Sequence, residues 1–357
     1  MKTQLELYGT LGPADYTKES LRQLFQAGMT GIRLNLSHSN LEDCETWLQN
    51  LFQVANERRI VPDLLVDLQG PELRIGTLSR PITLTPGSRF PLPETIPLPA
   101  EVIPYLKNGQ ILRLDDGKII LQVVPPSADL SEQEQHIYTT VLTGGILTSR
   151  KSLSLDGQSI NLPTLTAQDQ KNLQVLQKYH VTGVMLPFVR HKEDLLCLQK
   201  TLHDLGLLHV RIFAKIENQQ GVEQLPSLLP YCDQIVIARG DLGNAYQLHV
   251  LPGIQKKIAH TCLRYKRPFM VVTQMLASME HHAVPTRAEV SDIFNAVLDG
   301  ASSLMLTGET AAGDYPVEAM QVLSDFYVYS LSQVFIASRL SKIRVFSPEM
   351  PLDLTAN

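Results

Sequence analysis

The sequence predicts an α/β fold: a closed (β/α)8 barrel with a small all-β domain inserted after the third strand. Three observations carry that expectation. Apolar runs of strand length alternate with helix-periodic segments over most of the 357 residues, the pattern of parallel β/α units. Eight such runs occur, the number that closes a barrel whose site lies at the C-terminal ends of its strands. The alternation breaks between about Gly76 and Arg150, where proline and short β-like runs take over.

In chain order the barrel strands are expected at Gln4 to Gly9, Gly31 to Leu36, Asp63 to Asp67, Gly183 to Leu186, Arg211 to Ile216, Gln234 to Ala238, Phe269 to Thr273 and Ser303 to Thr307. Helix starts are marked locally. Thr286-Arg-Ala-Glu289 has capping-box spacing, Thr166-Ala-Gln-Asp169 is a weaker version of it, and Pro316 suits a first helical turn. The interrupting segment carries Ile119-Ile-Leu-Gln-Val-Val124 and a turn at Asp115-Asp-Gly117. The expected division is therefore barrel over 1–75, inserted β domain over 76–150 and barrel again over 151–336. An irregular tail is expected over 337–357, which contains Phe346-Ser-Pro-Glu-Met-Pro351.

Composition excludes several function classes. With 44% hydrophobic and 19% charged residues the chain can bury a sizeable core. A net charge of −5 gives no electrostatic footprint for nucleic acid. The cysteines Cys44, Cys197, Cys232 and Cys262 form no C-x-x-C, which argues against a disulfide framework or a zinc knuckle. No apolar run reaches spanning length and the start lacks a secretory core, so a cytoplasmic protein without membrane contact is expected.

The chain is organised around Phe213-Ala-Lys-Ile-Glu-Asn-Gln-Gln-Gly221 and Ile237-Ala-Arg-Gly-Asp-Leu-Gly243. Residues two apart on a strand point the same way, so Lys215 and Glu217 project together, while Asp241 arrives from the loop after the next strand. Two carboxylates flanking a lysine suit a hard divalent cation, magnesium or manganese, beside an anionic group. The same Lys-x-Glu spacing also describes an ordinary ion pair at a sheet rim. The second strand ends Arg33-Leu-Asn-Leu-Ser-His38, with Arg33, Asn35 and Ser37 on one face. That set fits a phosphate with a weakly hydrated monovalent cation, or simply a polar strand edge. Asp67 can join a cation site, and Arg74 beyond Gly70-Pro71 can grip a second phosphate or flank a hinge. Thr273 is expected at the rim with its hydroxyl free to bond, and Glu309 reads as structural support.

Seven segments then occur in the order in which they stand in pyruvate kinases: Arg33-Leu-Asn-Leu-Ser-His38, Gly70-Pro-Glu-Leu-Arg74, Ala214-Lys-Ile-Glu-Asn218, Ala238-Arg-Gly-Asp-Leu-Gly243, Thr273-Gln-Met-Leu276, Pro285-Thr-Arg-Ala-Glu289 and Thr307-Gly-Glu-Thr310. The chain resembles that family from Gly9 to about Phe335. The resemblance implies a TIM barrel with a mobile β domain after the third strand. It implies transfer of a phosphoryl group from phosphoenolpyruvate to ADP, with Mg2+ (or Mn2+) and K+ as cofactors. Carried over by position, Lys215 neutralises the phosphoryl group in flight and Glu217 and Asp241 ligate magnesium. Arg33 holds the substrate phosphate, and the amides of Gly240 and Asp241 with the Thr273 hydroxyl receive its carboxylate. Asn35, Ser37, Asp67 and the carbonyl of Leu68 form a potassium site. His38, Arg74 and Lys151 meet the nucleotide phosphates, with Asn35 beside them, and Thr273 with water is the proton route to the enolate.

Departures from the family pattern are also present. Asp67-Leu-Gln-Gly-Pro-Glu72 stands where the family usually has Asp-Thr-Lys-Gly-Pro-Glu, so a hydroxyl and a positive charge are lost at Leu68 and Gln69. Glu72 resembles the potassium-dependent branch. Lys151 is kept, without the glycine that normally follows it. The family's C-terminal regulatory domain is expected to be missing, and with it sugar-phosphate allostery, which leaves a monomer or a homodimer through barrel surfaces. Two competing readings stand beside the kinase. One is a catalytically weak paralogue that binds phosphoenolpyruvate or nucleotide as a sensor or assembly partner. The other is a barrel aldolase or lyase.

Overall fold

The structure, a computed structural model, describes residues 6–37, 39–115, 117–125, 137–158, 160 and 162–342, with side chains described as far as 330. Eight parallel strands close a barrel: β1 (Glu6–Leu11), β2 (Gly31–Asn35) and β3 (Asp63–Asp67), then β11 (Gly183–Leu186), β12 (Arg211–Ile216), β13 (Gln234–Ala238), β14 (Phe269–Val272) and β15 (Ser303–Met305). Closure is made by β1 pairing with both β2 and β15, Tyr8 opposite Gly31 on one side and opposite Met305 on the other.

These strands are apolar runs because both of their faces are covered. Inward residues, among them Tyr8, Leu65, Met185, Phe213, Val236, Met270 and Met305, fill the barrel interior. The outward residues pack beneath α1 (Lys18–Gln26), α2 (Glu45–Arg58), α3 (Ala167–Gln174), α4 (Lys192–Asp204), α5 (Gln219–Leu228), α6 (Arg239–Ala245), α7 (Leu251–Arg264), α8 (Arg287–Leu298), α9 (Gly308–Ala311) and α10 (Pro316–Lys342). Reciprocal capping boxes open α3 (Thr166 with Asp169) and α8 (Thr286 with Glu289).

Between β3 and β11 the chain builds a separate all-β unit. It contains β4 (Ile82–Leu84), β5 (Arg89–Leu92), β6 (Ile111–Leu114), β7 (Ile119–Val124), β8 (Ile137–Thr143), β9 (Gly145–Leu147) and β10 (Leu153–Leu155). β10, β6, β7, β8 and β5 form one antiparallel sheet and β4 pairs with β9. Its core, including Leu112, Leu114, Leu121 and Leu147, is distinct from that of the barrel.

Several expected bounds are corrected, among them the end of the insert, which runs past Arg150 because β10 (Leu153–Leu155) joins its sheet. The seventh strand stops at Val272, because Thr273 turns into left-handed backbone at φ 69°. The last helix does not end near Ile336: α10 continues through Lys342, so 337–342 are helical where an irregular tail was expected. Ala337-Ser-Arg-Leu-Ser-Lys342 holds no glycine or proline to stop it. Residues 343–357 lie outside the described residues, as does Asp116 of the expected turn.

Candidate active site

A charged cluster stands at the C-terminal ends of β2, β3 and β12. Lys215 Nζ lies 2.9 Å from Glu217 Oε1 and 3.1 Å from Asp67 Oδ2. Arg33 reaches the same Asp67 oxygen through Nη2 at 2.7 Å and Nε at 2.8 Å, and extends Nη1 to Thr10 Oγ1 at 3.3 Å. Glu217 Oε2 accepts from the Phe188 amide at 2.7 Å. Asp67 and Glu217 are both buried.

Such burial alone would neutralise a carboxyl group, so neighbouring charge decides each state. At Asp67 burial works against ionisation, but Lys215 and Arg33 outweigh it and hold the carboxyl below its usual range. Burial would likewise push Lys215 down, yet Asp67 and Glu217 hold its ammonium above the ordinary lysine value. Glu217 is pushed up, chiefly by burial, with Asp241 and Asp67 adding to the effect and Lys215 opposing it. A carboxylate so placed gains from a further cation. Asp67 Oδ1 is buried and accepts no hydrogen bond among the described residues, which also suits a cation.

Among the described residues no three His, Cys, Asp or Glu side chains converge as a complete metal cage. The donors present fit magnesium, which is commonly held by one or two carboxylates with substrate oxygens and water completing the shell. Glu217 and Asp241 both line a cleft of ≈1620 Å³ between the barrel and the inserted sheet, together with Gly240, Gln274 and Glu72.

The remaining predicted residues are dispersed around this centre. The Thr273 hydroxyl, expected to be free, is engaged: it accepts from the Gly240 amide at 2.8 Å and donates to the Val272 carbonyl. Asn35 Oδ1 accepts from the Ser37 amide at 3.1 Å, so the Asn35 side chain is turned onto its own loop. Leu68 is buried and its amide donates to the Met185 carbonyl at 3.1 Å. His38 lies outside the described residues. Arg74 sits on the connection entering the inserted unit, where its backbone bridges to Ser152, and Lys151 lies inside that unit between β9 and β10. Each is paired with an acid: Arg74 Nη2 with Glu72 at 2.7 Å, and Lys151 Nζ with Asp115 at 2.7 Å. The Lys151 contact holds the Asp115 carboxyl below its ordinary value.

Sequence reasoning misses Arg239 in the motif Ala238-Arg-Gly-Asp-Leu-Gly243, whose glycine and acid carry the plainer ligand-binding signals. An arginine directly after a five-residue buried strand is the signal that was available. Glu309 is buried and accepts from the Leu276 and Thr307 amides at 3.0 and 2.7 Å, a supporting role.

Comparison with known proteins agrees with this architecture. Residues 2–320 match the family model described as "Pyruvate kinase, barrel domain". The chain is 35% identical over 324 residues to a pyruvate kinase of Bacillus licheniformis, covering 88% of this chain and 55% of that protein. It is 36% identical over 333 residues to one of Chlamydia pneumoniae, covering 90% and 68% respectively. It is also 36% identical over 325 residues to one of Aeropyrum pernix, covering 90% and 69%. The chain thus spans about half to two thirds of the length of these relatives. A closed eight-stranded barrel with the charged cluster at its mouth, matched over nearly its whole extent by the family model, places the chain in the pyruvate kinase family.

Proposed function

We propose that this chain transfers the phosphoryl group of phosphoenolpyruvate to ADP, giving pyruvate and ATP. The observation that carries the reading is the convergence of Lys215, Arg33, Asp67 and Glu217 at the barrel mouth beside the cleft. Phosphoryl transfer asks chiefly for positioning and charge neutralisation. Lys215, held charged, faces the phosphoryl group as its P–O bond to the enol oxygen breaks and the bond to the ADP β-phosphate oxygen forms. Arg33 grips the phosphate of phosphoenolpyruvate. The Gly240 and Asp241 amides, with the Thr273 hydroxyl, receive the carboxylate. The enolate left behind gains a proton at C3 from solvent, through water beside Thr273.

Glu217 and Asp241 hold Mg2+ or Mn2+, which when bound offsets negative charge on the substrate oxygens. Asn35, Ser37, Asp67 and the Leu68 carbonyl hold K+. His38, Arg74 and Lys151 take the nucleotide phosphates, for which Arg74 exchanges Glu72 and Lys151 exchanges Asp115. Family membership supports these cations and a cytoplasmic setting, and among the described residues no helix is long and apolar enough to cross a membrane.

A coupled assay with phosphoenolpyruvate, ADP, magnesium and potassium tests the reading. Lys215→Met is expected to lower kcat by about 10³-fold, the scale for removing a charge-stabilising donor. Wild-type turnover no faster than that variant sinks the proposal. A second reading, a binder of phosphoenolpyruvate or nucleotide with weak catalysis, is favoured by the pairing of both nucleotide cations with acids of this chain. Tight calorimetric binding without turnover would select it.

A further inference from the structure

Arg239 follows the last residue of β13 and is buried, although its guanidinium carries five donors and accepts nothing. Its contacts explain that burial. Nε and Nη2 donate to the Thr273 carbonyl at 3.2 and 2.7 Å, and Nη2 also donates to the Gln274 carbonyl at 3.1 Å. Nη2 lies 3.0 Å from Met275 Sδ, and Nη1 pairs with Asp292 of α8. The two carbonyls belong to consecutive non-glycine residues in left-handed backbone, Thr273 at φ 69° and Gln274 at φ 52°.

A β-branched residue rarely occupies that region. Such backbone persists where the surroundings over-determine it. Val272-Thr-Gln-Met-Leu276 contains neither glycine nor proline to favour the turn, so the constraint comes from outside the segment. The turn also fixes where the Thr273 hydroxyl stands, and therefore its bond with the Gly240 amide.

We propose that Arg239, backed by Asp292, is a positioning residue: a fork that grips two consecutive carbonyls and thereby holds the Thr273 hydroxyl against Gly240 at the barrel mouth. The planar guanidinium is needed because one side chain must meet two carbonyls and a carboxylate in fixed directions. A lysine ammonium is a single point charge and cannot span them. Its effect on turnover rests on the phosphotransferase reading, whereas the clamp itself does not.

The test uses the full chain as wild type, Arg239→Met, Arg239→Lys and Asp292→Asn, with two separate readouts. Amide hydrogen exchange at Gly240 is independent of activity. It is expected to quicken by about tenfold or more in Arg239→Met and less in Asp292→Asn, while exchange along β13 stays unchanged. In steady state, kcat is expected to fall by about 10- to 100-fold with the KM for ADP within about twofold, as misplacement of a reacting group predicts. Exchange of the pyruvate methyl protons should fall with it. Arg239→Lys should not restore either property. Unaltered Gly240 exchange in both Arg239→Met and Asp292→Asn overturns the clamp. Faster exchange with undiminished kcat overturns its part in positioning. A wild type without turnover removes the phosphotransferase reading and leaves amide exchange to decide the clamp. Should Arg239→Met fail to fold, Asp292→Asn, which alters a half-buried carboxylate on a helix surface, carries both readouts.

Discussion

Asp15, in the loop between β1 and α1, is a carboxyl group buried with little to offset its charge. Its Oδ1 accepts from the Gly12 amide at 2.7 Å, and burial pushes its pKa up to about 8, against that hydrogen bond. The consequence for stability has a definite sign. Below the unfolded value, near 4, both states hold the proton and the loop keeps its full stability. As pH rises toward 8 the unfolded chain releases the proton while the folded chain retains it, so stability falls and then levels off. The loss is on the order of a few kcal/mol, since a tenfold difference in proton affinity between the two states corresponds to about 1.4 kcal/mol. Asp15→Asn keeps an oxygen for Gly12 but cannot ionise. Urea unfolding at pH 5 and pH 8 should therefore show wild type losing stability relative to this variant. Parallel pH curves for the two proteins would remove Asp15 as the source.

At the scale of elements, both connections to the inserted unit are fastened to the barrel by buried charged groups. Asp169, the third residue of α3, completes the capping box with Thr166 and also accepts from the Gln69 and Gly70 amides at 2.9 and 3.1 Å. Gly70 needs that anchorage and its lack of a side chain. Its φ is +62°, and a Cβ there would come within 2.4 Å of Pro187 Cγ. The returning connection is held by Arg190, which pairs with Asp194 at 2.8 Å and donates to the Ile160 and Leu162 carbonyls. Asp169→Ala strands buried amide donors and should cost about 2–5 kcal/mol, because each unsatisfied group costs about 1–3 kcal/mol. Denaturant unfolding measures the cost, and amide exchange at Gln69 and Gly70 should rise with it. A change near 1 kcal/mol, the ordinary cost of a lost cap, would mean that the capping role alone matters. The Thr166–Asp169 spacing was readable in the sequence because both partners lie within one turn. The bond to Gln69 was not, since it spans 100 residues. The barrel strands were legible because strands buried on both faces are apolar throughout. Lys215 and Glu217 were legible because strand alternation fixes their common side. The left-handed turn at Thr273 was hidden because a distant arginine holds it rather than a local glycine.

Across the whole molecule the barrel and the inserted unit keep separate hydrophobic cores, joined by the two fastened connections. Separate cores permit separate opening, because cooperative units follow contiguous buried packing. Leu121 of β7 is wholly buried in the inserted core and touches none of the barrel cluster. Leu121→Ala should therefore cost about 2–5 kcal/mol, the usual range for such a truncation, and confine that cost to the insert. Native-state hydrogen exchange reads this directly. Amides of Ile119–Val124 should lose protection while those of Gln234–Ala238 keep theirs. Equal loss in both strands would make the chain one cooperative body. An insert that opens alone can also carry Lys151 and the Asp115 paired with it as a unit, leaving Lys215, Asp67 and Glu217 in place on the barrel. Leu121→Ala should then raise the KM for ADP well before it disturbs binding of phosphoenolpyruvate, an order that titration of each ligand in turn would reveal.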